Sequence, residues 1–180
     1  MANINLFISY SHQEKEKYLP ELLTYLNEES CPNIKIWYDE KISPGGDWDD
    51  TIKSSFNNAQ IVLLLISQSF LMSPYIRENE LNPALERYNA GSCKVIPIFI
   101  RNCSLRNYPE ITKLQGLPAG MKFISDMGEE KWGHYTDIVQ KINDVVIEIE
   151  TDKTISKTIS NGEDTVRVEA AKKNRTTANE

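Results

Sequence analysis

The chain has 180 residues, 40% of them apolar, which suits one domain of ordinary size with a core and a tail. Its net charge of -6 argues against nucleic acid and against anionic membrane surfaces, since both select clustered Lys and Arg. Cys31, Cys93 and Cys103 are odd in number and show no C-x-x-C spacing, and His12 and His134 lie far apart in sequence, so neither a disulfide framework nor a metal site is expected.

The N-terminus, MANINLFISYS, lacks the basic and long apolar regions of a signal peptide. INLFIS is β-branched and aromatic and reads as a first strand. Ser11 and Glu14 have capping-box spacing, and Leu19, Leu22, Leu23 and Leu26 then share a helical face. Pro20 inside that pattern predicts either a kink or a late first turn. IKIWYD is a short second strand, and DEKISPGGD is a loop with Asp47 placed to cap the next helix. Trp48, Ile52, Phe56 and Ala59 recur at helical steps along that helix.

AQIVLLLIS has no alternation, which fits a central parallel strand buried on both faces. Its aliphatic run, Ile61 to Ile66, is far too short to cross a bilayer. Ser73-Pro74 starts the following helix with a cap and a proline in its first turn. KVIPIFI is a fourth strand, although Pro97 argues against pairing on both sides. MKFIS, around residues 121–125, reads as a weak fifth strand, and Trp132 through Ile149 as a closing helix with Ile138, Ile142, Val145, Val146 and Ile149 on one side. The repeated β-α order predicts a parallel sheet covered by helices on both faces. From residue 151 the chain has no aromatic residue and little apolar surface to offset its ordering entropy, so 1–150 reads as the domain and 151–180 as a polar flexible tail or linker.

Ligands of open parallel sheets bind beyond the carboxyl ends of the strands. That rule selects Ser9-Tyr10-Ser11-His12, Tyr38-Asp39-Glu40, Ser67-Gln68-Ser69-Phe70 and Arg101-Asn102, whose hydroxyls, amides and rings suit a nucleotide and equally suit solvated loops. G-x-G-x-x-G, Walker and G-x-S-x-G signatures are absent. A Ser9, His12 and Asp39 triad has no support in the spacing. In SPYIRENELNPAL, Glu78 and Glu80 lie about 200° apart on a helix, so only one of them can face a cleft. A carboxylate in a first helical turn is also explained by the macrodipole, at about 0.3–1 kcal/mol.

LFISYSHQEKE, WYDEKISPGGDW, IVLLLISQSFLMSPYIRENEL and KVIPIFI, in that order, resemble a Toll/interleukin-1 receptor (TIR) domain over residues 3 to about 149. The resemblance implies a flavodoxin-like three-layer α/β fold with a five-stranded parallel sheet. Many such domains break the nicotinamide–ribose bond of NAD+, while others act only as interaction modules. An essential glutamate, followed by an apolar residue and then by Ala-Leu four residues on, matches Glu80 in Glu80-Leu81-Asn82-Pro83-Ala84-Leu85 and does not match Glu78.

The resemblance further implies that Ser9, Tyr10, Asp39, Trp48 and Tyr75 surround the substrate. Core packing is the competing account of Trp48, which is in phase with Ile52 and Phe56. NAD+ enters as substrate, with no separate cofactor and no metal. Other TIR domains are the implied partners by self-association, with residues 40–48 as gate and interface and a sensor domain tethered through the polar tail. The implied setting is a bacterial, cytoplasmic, antiphage one. A nucleoside deoxyribosyltransferase is a further alternative that would ignore NAD+.

Overall fold

The computed structural model describes residues 4–39 and 48–176. The chain divides into two units, residues 1–141 and 142–180. In the first, strands β1 (Ile4–Ser9), β2 (Ile34–Trp37), β3 (Ile61–Ile66) and β4 (Lys94–Phe99) form a parallel sheet in the order β2-β1-β3-β4. Every residue of β3 is fully buried, as its unbroken apolar run requires of a central strand.

Alternation along the strands divides the core into two layers. Phe7, Val62, Leu64 and Ile66 face a cluster with Ile52 and Phe56 of α2 (Trp48–Asn57) and Ala84 of α5 (Asn82–Asn89). Phe7 meets Phe56 edge to face at 5.4 Å. Leu6, Ile8, Leu63 and Leu65, also buried, fall on the opposite face. There α1 (Tyr18–Tyr25) and the first turns of α7 (Lys131–Thr176) join through stacked Tyr25 and Tyr135 rings and a 2.6 Å Lys131–Glu21 ion pair. Pro20 is the third residue of α1, so it marks a late first turn.

The sheet has four strands among the described residues, where five were expected. MKFIS does not pair as a strand; it enters a 3-10 turn, Ile124–Asp126. The edge of β4 is met instead by Leu117, whose N–H donates to Pro97 O (2.8 Å) and whose carbonyl accepts from Phe99 N (2.7 Å). Pairing stops at this one bridge, and Gly120 and Met121 then turn the chain away at positive φ. Gly116 allows the close approach: a Cβ there would stand 2.5 Å from the Phe99 ring. Pro97 fits because its imide nitrogen lies on this outer edge, while Lys94 and Ile100 donate inward to Gln60 and Ile66.

After β3, Ser67 caps α3 (Gln68–Met72) by accepting from Phe70 N, and Ser73 caps α4 (Pro74–Ile76) by accepting from Ile76 N. The helix then widens into a π turn, Arg77–Leu81, before α5. A short α6 (Pro109–Thr112) follows β4.

In α7, Tyr135, Ile138 and Val139 are buried within the first unit. Within the second, Ile142 and Val146 are buried. From Thr151 to Ser156 all side chains but the half-buried Lys153 are exposed, as the polar composition requires, and the backbone there continues as helix.

Candidate active site

The sheet order reverses between β1 and β3, because the chain leaves β1 toward β2 and returns on the other side to β3. Loops diverge at such a switch point and leave a crevice beyond the strand ends. A cleft of about 400 Å³ lies there, within the range of small-molecule sites. It is lined by Tyr10, Ser11 and His12 after β1, Asp39 after β2, Ser69 in α3, and Tyr75 and Glu80 from the helix beyond. Three of the four segments selected by the strand-end rule therefore meet at one place. The fourth reaches it indirectly, through Arg101.

Glu80 is 8% exposed, whereas Glu78 is exposed. The π turn explains how Glu80 comes to point inward. Pro83 has no N–H, and its ring crowds the carbonyl four residues back. The helix accommodates this by widening, so that Asn82 N–H donates to Arg77 O, five residues earlier. Ser9, 1% exposed at the end of β1, donates its hydroxyl to Glu80 Oε2. Tyr10, whose ring is buried, donates its phenol to Asp39 Oδ1. Ser9 and Asp39 are thus committed to Glu80 and Tyr10, which is not the arrangement of a Ser/His/Asp triad.

Burial pushes the Glu80 carboxyl up from its ordinary value to about 7. The Ser9 hydrogen bond opposes that rise and the nearby Asp39 charge adds to it. Near neutral pH, Glu80 is therefore poised between its acid and its carboxylate. A buried carboxyl so shifted and lining a cleft is a candidate functional group.

Behind the cleft wall lies a second carboxylate that the sequence pattern assigned to a capping box. The Ser11 side chain makes no cap hydrogen bond to the backbone and instead points its hydroxyl toward Glu14 Oε1 at 3.5 Å; the Glu14 side chain is fully buried and accepts from Arg101 Nε at 3.0 Å. Ser69 Oγ donates to Glu14 Oε1 at 3.2 Å and lies 2.9 Å from Ser11 Oγ and 3.0 Å from Ser67 Oγ. Capping spacing alone could not distinguish this use of Glu14, because its partner stands 87 residues away.

Tyr75 is 38% exposed at the cleft mouth. Trp48 is the first residue of α2, and its side chain lies outside the described part of the structure. Residues 40–47, which hold the expected gate and the Asp47 cap, also lie outside the described residues. A larger groove of about 540 Å³ runs between β2 and α2 past Asn5, Lys35, Ser54 and Gln60; among the described residues it is lined by no carboxylate, and it lies toward the amino ends of the strands. Among the described residues, no group of three or more His, Cys, Asp or Glu side chains is arranged to hold a metal ion.

A doubly wound α/β domain with a buried carboxylate at its switch-point crevice is the class that this architecture defines. Residues 6–132 match the family model described as TIR domain, and the chain belongs to that family. It is 33% identical over 123 residues to "Uncharacterized protein y4lF" of Sinorhizobium fredii (strain NBRC 101917 / NGR234); the match takes in 67% of this chain and 37% of that relative, so the chain spans little more than a third of its length. The crystal structure of the TIR domain of the Toll-related receptor TRR-2 from Hydra magnipapillata superposes with a TM-score of 0.53 at 16% identity, over 77% of this chain and 99% of that one. At that identity the likeness is one of fold.

Proposed function

We propose that this TIR domain is an NAD+ nucleosidase or ADP-ribosyl cyclase with Glu80 as its catalytic residue. The observation that carries the reading is a single buried carboxylate, held by Ser9, in the cleft at the strand ends. In NAD+ the pyridinium is already a cationic leaving group. When the C1′–N bond breaks, its electron pair passes to nicotinamide, which departs neutral without a general acid. The ribose left behind has oxocarbenium character. An ionised Glu80 stabilises that charge, or attacks C1′ transiently, before water or a ring nitrogen of the adenine adds there. A bound pyridinium favours the ionised form of a carboxyl poised near neutrality.

In this reading Tyr10 and Asp39 flank the ribose, Tyr75 closes the mouth of the cleft and Trp48 offers a ring for stacking. NAD+ is the substrate, no other cofactor takes part, and self-association with further TIR domains raises the rate. A sensor domain joined through the polar stretch after residue 150 would drive that association in bacterial, cytoplasmic antiphage immunity.

The test is NAD+ consumption by protein clustered at high density on beads, with products separated by chromatography and Glu80→Gln alongside. Release of nicotinamide by the parent and not by a folded Glu80→Gln variant supports the reading, and the second product separates hydrolase from cyclase. No consumption by either, even when clustered, makes the protein a non-catalytic interaction module.

A further inference from the structure

The serine wall of the cleft has a direction, and Glu14 sets it. A buried carboxylate is costly unless paired, and Arg101 supplies the pair through Nε on Oε2. With Arg101 on Oε2 and Ser69 on Oε1, both oxygens of Glu14 serve as acceptors. The single proton of Ser69 is therefore drawn to Oε1, and Ser69 accepts from the neighbours that lie at 2.9 and 3.0 Å, Ser11 and Ser67. Ser67 accepts from Phe70 N–H and, because the proton of Ser69 is used on Glu14, gives its own proton toward Ser69. The proton of Ser11 points the same way, toward Ser69 and Glu14. What Ser11 Oγ has left for the cleft it lines is a pair of acceptor sites.

We propose that Glu14 is a positioning residue for this cleft: it draws the serine protons inward, so that Ser11 Oγ accepts a hydrogen bond from a hydroxyl of a ribosyl ligand. With the acceptors Asp39 and Glu80 on the same cleft, the wall reads a sugar diol by its donors. This rests on the reading of the cleft as a ribosyl-substrate site.

Glu14→Gln inverts the wall. Arg101 Nε–H still requires an acceptor, so the amide oxygen turns to Arg101 and the amide N–H turns to Ser69. Ser69 then accepts from the amide and has one proton to give, so Ser11 and Ser67 can no longer both donate to it, and a Ser11 displaced from that role turns its proton toward the cleft. Ser69→Ala only breaks the chain and leaves the Glu14–Arg101 pair intact, which keeps the test usable if Glu14→Gln folds poorly.

The experiment is steady-state NAD+ turnover by the clustered chain, with calorimetric binding of nicotinamide riboside to the same proteins. Glu14→Gln is expected to raise KM and the riboside Kd by about tenfold while kcat changes by less than about threefold, and Ser69→Ala to raise both constants by a smaller factor. A purely structural role would instead lower the melting temperature without this split between KM and kcat. Unchanged KM and Kd in both variants overturn the proposal and leave the NAD+ reading standing. Riboside binding that weakens in Glu14→Gln, in a parent without turnover, supports the wall and sinks the nucleosidase reading. A parent that binds no riboside overturns both.

Discussion

Besides burial, two groups act on the Glu80 carboxyl, Ser9 and Asp39, and their effects can be separated by titration. The pH dependence of kcat/KM should inflect near 7, rising as Glu80 ionises, because that parameter reports the free enzyme. Ser9→Ala removes a bond that favours the charged form, so the inflection should move to higher pH. Asp39→Asn removes a repelling charge, so it should move to lower pH. Profiles of the three proteins on the same clustered support check this, and shifts in the same direction for both variants would contradict the assignment.

The same carboxyl has a cost in stability. Its folded value is raised above the unfolded one, so the penalty is absent below about pH 4.5, grows as pH rises toward about 7, and amounts to roughly 3 kcal/mol above that. Glu80→Gln keeps an acceptor for Ser9 and carries no charge. Its melting temperature should exceed the parent's at pH 8 and meet it near pH 4. Thermal scans across that range would read the difference directly.

At the scale of elements, the π turn is where local sequence positions the proposed catalytic carboxylate. Pro83 forbids an ordinary α register over its preceding turn, and Glu80 sits inside the turn that results. Pro83→Ala restores the missing N–H and lets the turn narrow. Turnover should then fall by at least about tenfold while the domain stays folded, since proline in a helix is itself unfavourable. An unchanged rate would mean that the packing of Leu81 and Ala84 holds the turn by itself. Arg87, by contrast, is structural. It donates to the carbonyls of Phe56 and Ala59, which close α2, and lies over the Phe56 ring. Arg87→Met should cost about 1–3 kcal/mol in denaturant unfolding and leave Glu80 chemistry intact.

The elements themselves were legible to different degrees for physical reasons. β3 announces itself because a strand buried on both faces has no polar position to break its pattern. Ser73-Pro74 is equally plain, since cap and first-turn proline are local chemistry. The fifth strand was misread because β propensity in MKFIS is real, yet Leu117 reaches the β4 edge first.

At the scale of the whole molecule, TIR domains commonly assemble with one another, and the proposed rate enhancement belongs there. NAD+ turnover per molecule should rise steeply with protein concentration and rise again on a clustering scaffold. A flat rate per molecule across both would remove self-association as the trigger. No helix among the described residues is long and apolar enough to cross a membrane.

The sequence by itself determined the α/β class, the succession of the first four strands along the chain and the buried character of β3. Each of these depends on residues close together in the chain, through periodicity, caps and unbroken apolar runs, whereas the preference for Glu80 over Glu78 came from the resemblance to TIR domains. Only the tertiary structure decided that Ser9 would hold Glu80, that Tyr10 would hold Asp39, and that Glu14 would serve Arg101 and Ser69 rather than a helix end. Those pairings join residues 71, 29, 87 and 55 positions apart, and no local pattern encodes a partner at such a distance. They arise because a parallel sheet brings the ends of all its strands to one side, where polar groups cut off from water must find one another.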